Sequence, residues 1–481
     1  MRRAAVIDIG SNSVRLVVYG IEGAALISLF DEKAMCGLGR GLSETGKLHQ
    51  EGAKAAIQEL RRFARVAADE EPEALCPFAT SAVRDASDGR EFLQAAAQET
   101  GLKIEVLSGL EEARLAAEGV AGAVPNATGL VGDLGGGSLE LVRLENGAVL
   151  EQATLPIGAL RRAANAPLAE TSTWIDTALA EVCWLKDCAD QPFYLVGGAW
   201  RSFARAHMLQ NHYPLPVIHQ YTMSADSAYE MASLFGAMSE QSADLLESVS
   251  KRRRAIMPYA ALMLSRVINR AQPDSVVASS HGLREGYVHD RFGSSNSDPL
   301  LDYCRLAGAS TARIPPAGDR VFQWLSPVFG EAKPDIVRLI KAVSWLADVA
   351  GREHPDRRAY IGYSRALNLP CVALDHAGRG FLAAAVRCRY SGAPKNGELD
   401  EARQLTPPDD VETAIRLGVT LRLGQAISPT GRGLAATNLA LDQKHLTLSG
   451  PAALLAGETV SRRLAATATV FGRQPRLSST S

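Results

Sequence analysis

Two short stretches of this chain carry the residue types that handle phosphate. The first is Val6-Ile-Asp8-Ile-Gly10-Ser11-Asn12-Ser13-Val-Arg15, and the second is Leu130-Val-Gly-Asp133-Leu-Gly135-Gly136-Gly137-Ser138-Leu-Glu140. In each, an apolar run ends in an aspartate, with glycine and serine following at the same spacing. Strand, glycine turn, strand reads as a β-hairpin. The run Gly135-Gly136-Gly137 exceeds what a hairpin needs. Successive glycines let backbone N–H groups approach a ligand with no Cβ in the way, and clustered amides form an anion-binding concavity. Asp133 and Glu140 would add negative charge beside that anion, which makes sense with a divalent cation bridging them. The last motif position differs, being Arg15 in one copy and Glu140 in the other. One copy alone is compatible with a plain hairpin. Two at one spacing imply a duplicated domain with a phosphate loop in each half, facing across a cleft.

The elements around these loops decide what else reaches them. Residues 2–30 read as strands, and Gln50–Asp69 as a helix with Ala53, Ile57, Leu60 and Ala64 on one stripe. The strand Leu75–Ala79 runs into Thr80-Ser81-Ala-Val-Arg84-Asp85. Hydroxyls at that position cap the following helix, and they also leave N–H groups and one arginine available to an anion; both readings are open. After the strand Lys103–Leu107, Ser108-Gly-Leu-Glu111-Glu112-Ala-Arg114 opens a helix to about Gly122. Ser108 and Glu111 match a capping box. The alternative is a carboxylate between the two loops, placed as a general base. Pro192–Val196 runs into Gly197-Gly198, either a structural turn or a ligand-approach turn. Lys251-Arg-Arg-Arg254 is the densest basic run. It is a solvated helix face by default, or a patch for an extended phosphate polymer.

Composition narrows the class. At 481 residues the chain accommodates two to four domains. Its 46% hydrophobic and 22% charged content are those of an ordinary globular protein. With a net charge of −2, bulk electrostatics point to neither nucleic acid nor membrane as a partner. The seven cysteines are scattered without zinc spacing, which fits reduced thiols in the cytoplasm. Asp8 interrupts the first apolar run too early for a signal peptide. No apolar run reaches the roughly 18 residues of a membrane span.

The paired loops are similar to those of the actin, Hsp70 and sugar-kinase superfamily. Seven motifs in order make the resemblance specific: Asp8–Arg15, Ala79–Arg84, Ser108–Arg114, Asp133–Glu140, Leu155-Pro-Ile-Gly-Ala-Leu-Arg161, Val196-Gly-Gly-Ala-Trp-Arg201 and Gly282-Leu-Arg-Glu-Gly286. Together they resemble the exopolyphosphatase and guanosine pentaphosphate phosphohydrolase family over residues 4–290. The resemblance implies an α/β fold with duplicated actin-like (ribonuclease H-like) domains, 1–125 and 126–293, around a central cleft. An all-helical C-terminal domain, 299–470, resembling a degenerate HD domain, and a disordered tail, 471–481, would follow. Its HD-like segment has Ala347 where a metal-binding histidine belongs, and Asp348 with His354 cannot fill such a site alone.

The resemblance makes Glu111 the catalytic base and places Asp133, Glu140 and Asp8 at a Mg²⁺ site. Phosphate would be held by Gly10, Ser11, Asn12, Ser13, Arg15, Thr80, Ser81, Arg84, Gly135, Gly136, Gly137, Ser138, Gly197 and Gly198. The expected activity is Mg²⁺-dependent release of terminal orthophosphate from inorganic polyphosphate by a cytoplasmic homodimer. The alternatives are a pppGpp 5'-phosphohydrolase and an actin-like ATPase or kinase. Trp200, directly after the paired glycines, leaves open whether a nucleotide base is read.

Overall fold

The computed structural model describes residues 1–161, 167–238, 254–293, 297–313 and 317–480. Lys251, Arg252 and Arg253 of the basic run lie outside the described residues. The chain divides into two compact units, Met1–Asn296 and Ser297–Ser481.

The first unit contains two sheets built on one plan. Strands β1 (Arg2–Ile9), β2 (Val14–Glu22) and β3 (Ala25–Ala34) form an antiparallel meander, and β4 (Ala74–Ala79) and β5 (Glu105–Val106) add in parallel on the β1 side, giving the order β3-β2-β1-β4-β5. The second sheet repeats this with β6 (Gly129–Leu134), β7 (Leu139–Glu145), β8 (Ala148–Leu155), β9 (Pro192–Val196), β10 (Tyr221–Ser224) and β11 (Ser275–Ala278). Its order is β10-β11-β9-β6-β7-β8, with β6, β9 and β11 parallel. The duplication expected from the loops is present.

Side-chain alternation explains where each loop aspartate points. On β1, Ala5, Ile7 and Ile9 pack against Leu60 and Phe63 of the helix Gln50–Asp69. Ala4 and Val6 pack on the opposite face with Tyr287 and Val288 of the helix Leu283–Phe292. Asp8 continues that second row, because strand side chains alternate with period two. On β6, Val131 packs with Ala113, Ala117 and Val120 of the helix Gly109–Ala123, and Asp133 continues that row. Each helix therefore crosses to the other half's sheet and begins beside the other half's loop. The two helices meet almost backbone to backbone. A Cβ on Gly286 would fall 1.7 Å from the Leu115 carbonyl oxygen, and one on Gly119 would fall 2.1 Å from that of Gly282.

The second unit is mainly helical, with His376–Ser391 and Pro408–Ile427 packed together at its centre. It is not all-helical: β12 (Asn438–Leu441), β13 (His445–Pro451) and β14 (Gln474–Thr480) form a small sheet, with β13 central. The tail expected to be disordered is thus a strand through residue 480. It joins as an edge, where main-chain pairing to β13 suffices and Pro475 costs no interior ladder bond. Asp348 accepts hydrogen bonds from Arg313 (3.0 and 2.8 Å) and Arg389 (3.0 Å), so its carboxylate holds guanidinium groups. Among the described residues no helix is long and apolar enough to cross a membrane.

Candidate active site

The two loops share one backbone frame. Gly10 N–H donates to the Ser13 carbonyl at 3.0 Å, and Gly135 N–H donates to the Ser138 carbonyl at 3.0 Å. Register then pairs the first and last motif residues across each hairpin, Asp8 with Arg15 and Asp133 with Glu140. The frames face a cleft of about 650 Å³. From the first half, Asp8, Gly10, Ser11, Asn12, Ser13, Arg15, Thr80 and Ser81 line it; from the second, Asp133, Gly135, Gly136, Ser138, Glu140, Gly197 and Gly198 do.

Three expected site residues do not line this cleft: Gly137, Arg84 and Glu111. Gly137 serves a contact between the halves, since a Cβ there would lie 2.4 Å from Ser81 Oγ, as one on Gly136 would lie 2.9 Å from Ser11 Cβ. Close approach of the two halves, at Ser11 for Gly136 and at Ser81 for Gly137, accounts for two of the three glycines. Arg84 lies behind the cleft wall, its Nη1 bonded to Glu112 and to the Leu107 carbonyl (2.9 Å). Glu111 is exposed and closes the capping box: its Oε2 accepts from Ser108 N (3.0 Å) and Oγ (2.9 Å), while its own N–H donates to Ser108 Oγ (3.2 Å). Those bonds from Ser108 lower its pKa. A group fixed as a carboxylate outside the cleft is a poor proton acceptor for a reaction inside it.

The neighbouring Glu112 has the position that was expected of Glu111. It is buried in the cleft wall, and burial pushes its carboxyl up to about 7 against the pull of Arg84, with Asp133 and Asp8 adding to the rise. Burial likewise takes Asp133 to about 6, opposed by Arg201 and Arg284. Glu140 is pushed well above the usual carboxylate range by burial and by the charges of Glu112 and Asp133. Thr154 Oγ1 donates to it at 3.2 Å. The second loop thus faces a surplus of carboxyl groups.

The first loop is charge-balanced. Arg284 Nη1 donates to Asp8 Oδ2 at 2.9 Å, and Arg15 forks onto Asp31 (Nε to Oδ1, 2.6 Å, with a second bond from Nη2). Against burial, Arg284, His281 and the Tyr19 hydroxyl hold Glu285 down to about 2. Its oxygens accept from Tyr19 (2.6 Å) and from Gly282 N–H (3.0 Å). Arg201 donates to the Ser280 carbonyl (2.9 Å), and burial lowers its pKa to about 10. Arg201, Arg284, Glu285 and Glu112 all line the cleft and were missed as site residues, although each lies in a motif quoted above. Gly197, at φ +94°, allows the close approach of β9 to the second loop, for a Cβ there would lie 2.9 Å from Asp133 Oδ1. Trp200 is wholly buried, its indole N–H on the Ala260 carbonyl (2.9 Å), and presents no face to the cleft.

Among the described residues no three His, Cys, Asp or Glu side chains converge on one point as a protein-only metal cage. Asp133 and Glu140 nevertheless form an all-oxygen pair with an excess of negative charge. That fits Mg²⁺, which takes one or two carboxylates and fills its remaining positions with water and phosphate oxygens. Asp8, expected beside them, is committed to Arg284.

A repeated meander with glycine loops facing across a cleft, and helices exchanged between the halves, defines an actin-like protein. The chain belongs to the Ppx/GppA phosphatase family, whose model matches residues 17–294; a second model, that of the exopolyphosphatase C-terminal region, matches residues 323–477. It is an enzyme of phosphoanhydride hydrolysis. Exopolyphosphatase 1 of Mycobacterium tuberculosis is 28% identical over 318 residues, covering 62% of this chain and 91% of that protein. Its Mycobacterium leprae counterpart is 27% identical over 321 residues, with coverages of 62% and 92%. The Ppx/GppA family member of Aquifex aeolicus superposes with a TM-score of 0.52 at 25% identity, covering 60% of this chain and 97% of that structure. An exopolyphosphatase from Cytophaga hutchinsonii has the same fold, with a TM-score of 0.56 at 21% identity and coverages of 62% and 100%.

Proposed function

We propose that this protein is an exopolyphosphatase that releases orthophosphate from the end of inorganic polyphosphate, with Glu112 as general base. The observation that carries the mechanism is the position of Glu112. It is the carboxyl that combines a place in the cleft wall, a pKa raised to about 7 and an arginine holding its outer face. A base so poised accepts a proton from water near neutral pH. Attack on phosphorus must be in line, with charge spreading over the phosphoryl oxygens, so the work is positioning and charge stabilisation. Loop amides at Ser11–Ser13 in the first half, and at Gly136 and Ser138 in the second, cradle the terminal phosphates, and Arg201 and Arg284 supply fixed positive charge behind them. Asp133 and Glu140 would hold Mg²⁺, which when bound would supply charge that neutralises phosphate oxygens. Trp200's burial gives no stacking platform for a base, which favours an inorganic chain over pppGpp.

Glu112→Gln and Glu111→Gln separate the two assignments. The first should lower kcat on polyphosphate by about 10²-fold or more, since a general base contributes roughly 10²–10⁴-fold. The second keeps the capping geometry, because glutamine serves at the third helical position, and should leave kcat within about twofold. The reverse ranking would return the base to Glu111. Parallel assays on pppGpp and ATP test the substrate, and faster turnover of either would displace polyphosphate.

A further inference from the structure

Behind the cleft, a chain of charge-assisted hydrogen bonds runs from Glu112 to the second glycine loop. Arg84 bonds Glu112 through Nη1 and donates from Nε to Asp85 Oδ1 at 3.1 Å. The other oxygen of Asp85 accepts from Arg161 Nη2, and Arg161 Nε donates to the Gly137 carbonyl at 2.6 Å. Asp85 belongs to the first half and Arg161 to the second, so the pair closes across the two. The halves are tight there, with Gly137 against Ser81 and Ser11 Oγ 3.2 Å from Ser81 Oγ.

We propose that Arg161 and Asp85 are positioning residues for the reaction: by occupying one oxygen of Asp85, Arg161 leaves Arg84 Nη1 on Glu112 when the halves are closed. A free carboxylate beside a guanidinium takes two of its N–H donors in a bidentate pair and turns the group toward itself. Without Arg161, Asp85 is free to draw Arg84 away from Glu112, and the base loses the contact that orients it. The clasp thereby ties the seating of the second phosphate loop to the orientation of a carboxylate on the helix Gly109–Ala123. This rests on the reading of Glu112 as base.

The signature is epistasis. Arg161→Gln can still donate to the Gly137 carbonyl but no longer holds the charge of Asp85. Its kcat should fall about tenfold with KM changed less than about threefold, the scale of a misplaced catalytic group. Adding Asp85→Asn removes the competitor for Arg84, so the double variant should recover at least about threefold in kcat over Arg161→Gln alone. A mere tie between the halves would give a double variant as slow as the single or slower, and that result overturns the proposal, as does an unchanged kcat in Arg161→Gln. If Arg161→Gln does not fold by its melting transition, Arg161→Met, which likewise carries no charge for Asp85, takes its place with the same criteria. Glu112→Gln run alongside separates the two failures. Full activity there removes the base and the clasp together; inactivity there without the epistasis removes the clasp alone.

Discussion

The two glycine loops have the same backbone and opposite electrostatics. Each closes with the same 3.0 Å glycine-to-serine bond and pairs its first and last motif residues across the hairpin. In the first, the aspartate is neutralised by Arg284 and the last position is an arginine that is itself paired. In the second, the aspartate faces a glutamate, and burial raises the pKa of both. The first loop can take a phosphate without further charge, whereas the second needs a cation or protons before an anion can approach. Duplication supplied two frames of one backbone, and the residue at the eighth motif position sets their charges apart.

Neutralising the second loop should give the largest effect on this contrast. Glu140→Gln and Asp133→Asn should each lower kcat on the order of 10²-fold at fixed Mg²⁺ and raise the Mg²⁺ concentration for half-maximal rate, since a hard cation loses a charged oxygen. Stability should hold. Glu140 is almost wholly buried and carries the least favourable charge of the pair, so a neutral isostere should melt within about 1 kcal/mol of wild type without divalent cation. An unchanged Mg²⁺ dependence in both variants would remove them from the metal site.

The first loop should respond the opposite way. Asp8→Asn removes the carboxylate charge that accepts from Arg284 Nη1 in a mostly buried setting, with side-chain exposures of 15% and 17% for the pair, and leaves Glu285 as the other carboxylate beside Arg284. Weakening that charge-assisted hydrogen bond should cost about 2 kcal/mol in chemical denaturation. The Mg²⁺ requirement should stay near wild type. Equal stability losses in Asp8→Asn and Glu140→Gln would erase the distinction between the loops.

Much of this was legible from spacing alone. Matching Asp, Gly and Ser positions gave both frames, and a 3.6-residue stripe gave Gln50–Asp69 with both boundaries. The choice between Glu111 and Glu112 was harder, because a capping box marks the third helical residue and says nothing of its neighbour. A signal existed: the positions three, four and seven after Glu112 are Leu115, Ala116 and Gly119, all buried, whereas Glu111 shares its row with Arg114 and Glu118. Arg284 was less accessible, for its place in the cleft depends on a helix crossing between sheets, whereas Arg201 stands near the start of the helix that follows the paired glycines in its own half. The strand Gln474–Thr480 is polar and carries no apolar alternation; its partner His445–Pro451, with Leu446 and Leu448 buried, did. Edge strands are recruited by a neighbour's backbone, so their own side chains announce little.

The smallest effect belongs to Arg15, which by type alone was expected to grip phosphate. Its guanidinium lines the cleft, but both donor edges used here go to Asp31 on the neighbouring strand. That pair is partly solvent-exposed, 26% and 37%, so its contribution to stability is screened and should be at most about 1 kcal/mol. A paired arginine still carries its positive charge toward the cleft mouth, where a polyanion gains from every cation it passes. Arg15→Gln should therefore raise KM for long polyphosphate by about threefold at low salt and leave kcat unchanged, with the difference fading as salt is added. The measurement is KM at two ionic strengths beside the melting curve. A tenfold or greater loss of kcat would mean that substrate pulls Arg15 off Asp31 and onto the reacting phosphate. The first loop would then be an active partner in the chemistry instead of a passive cradle.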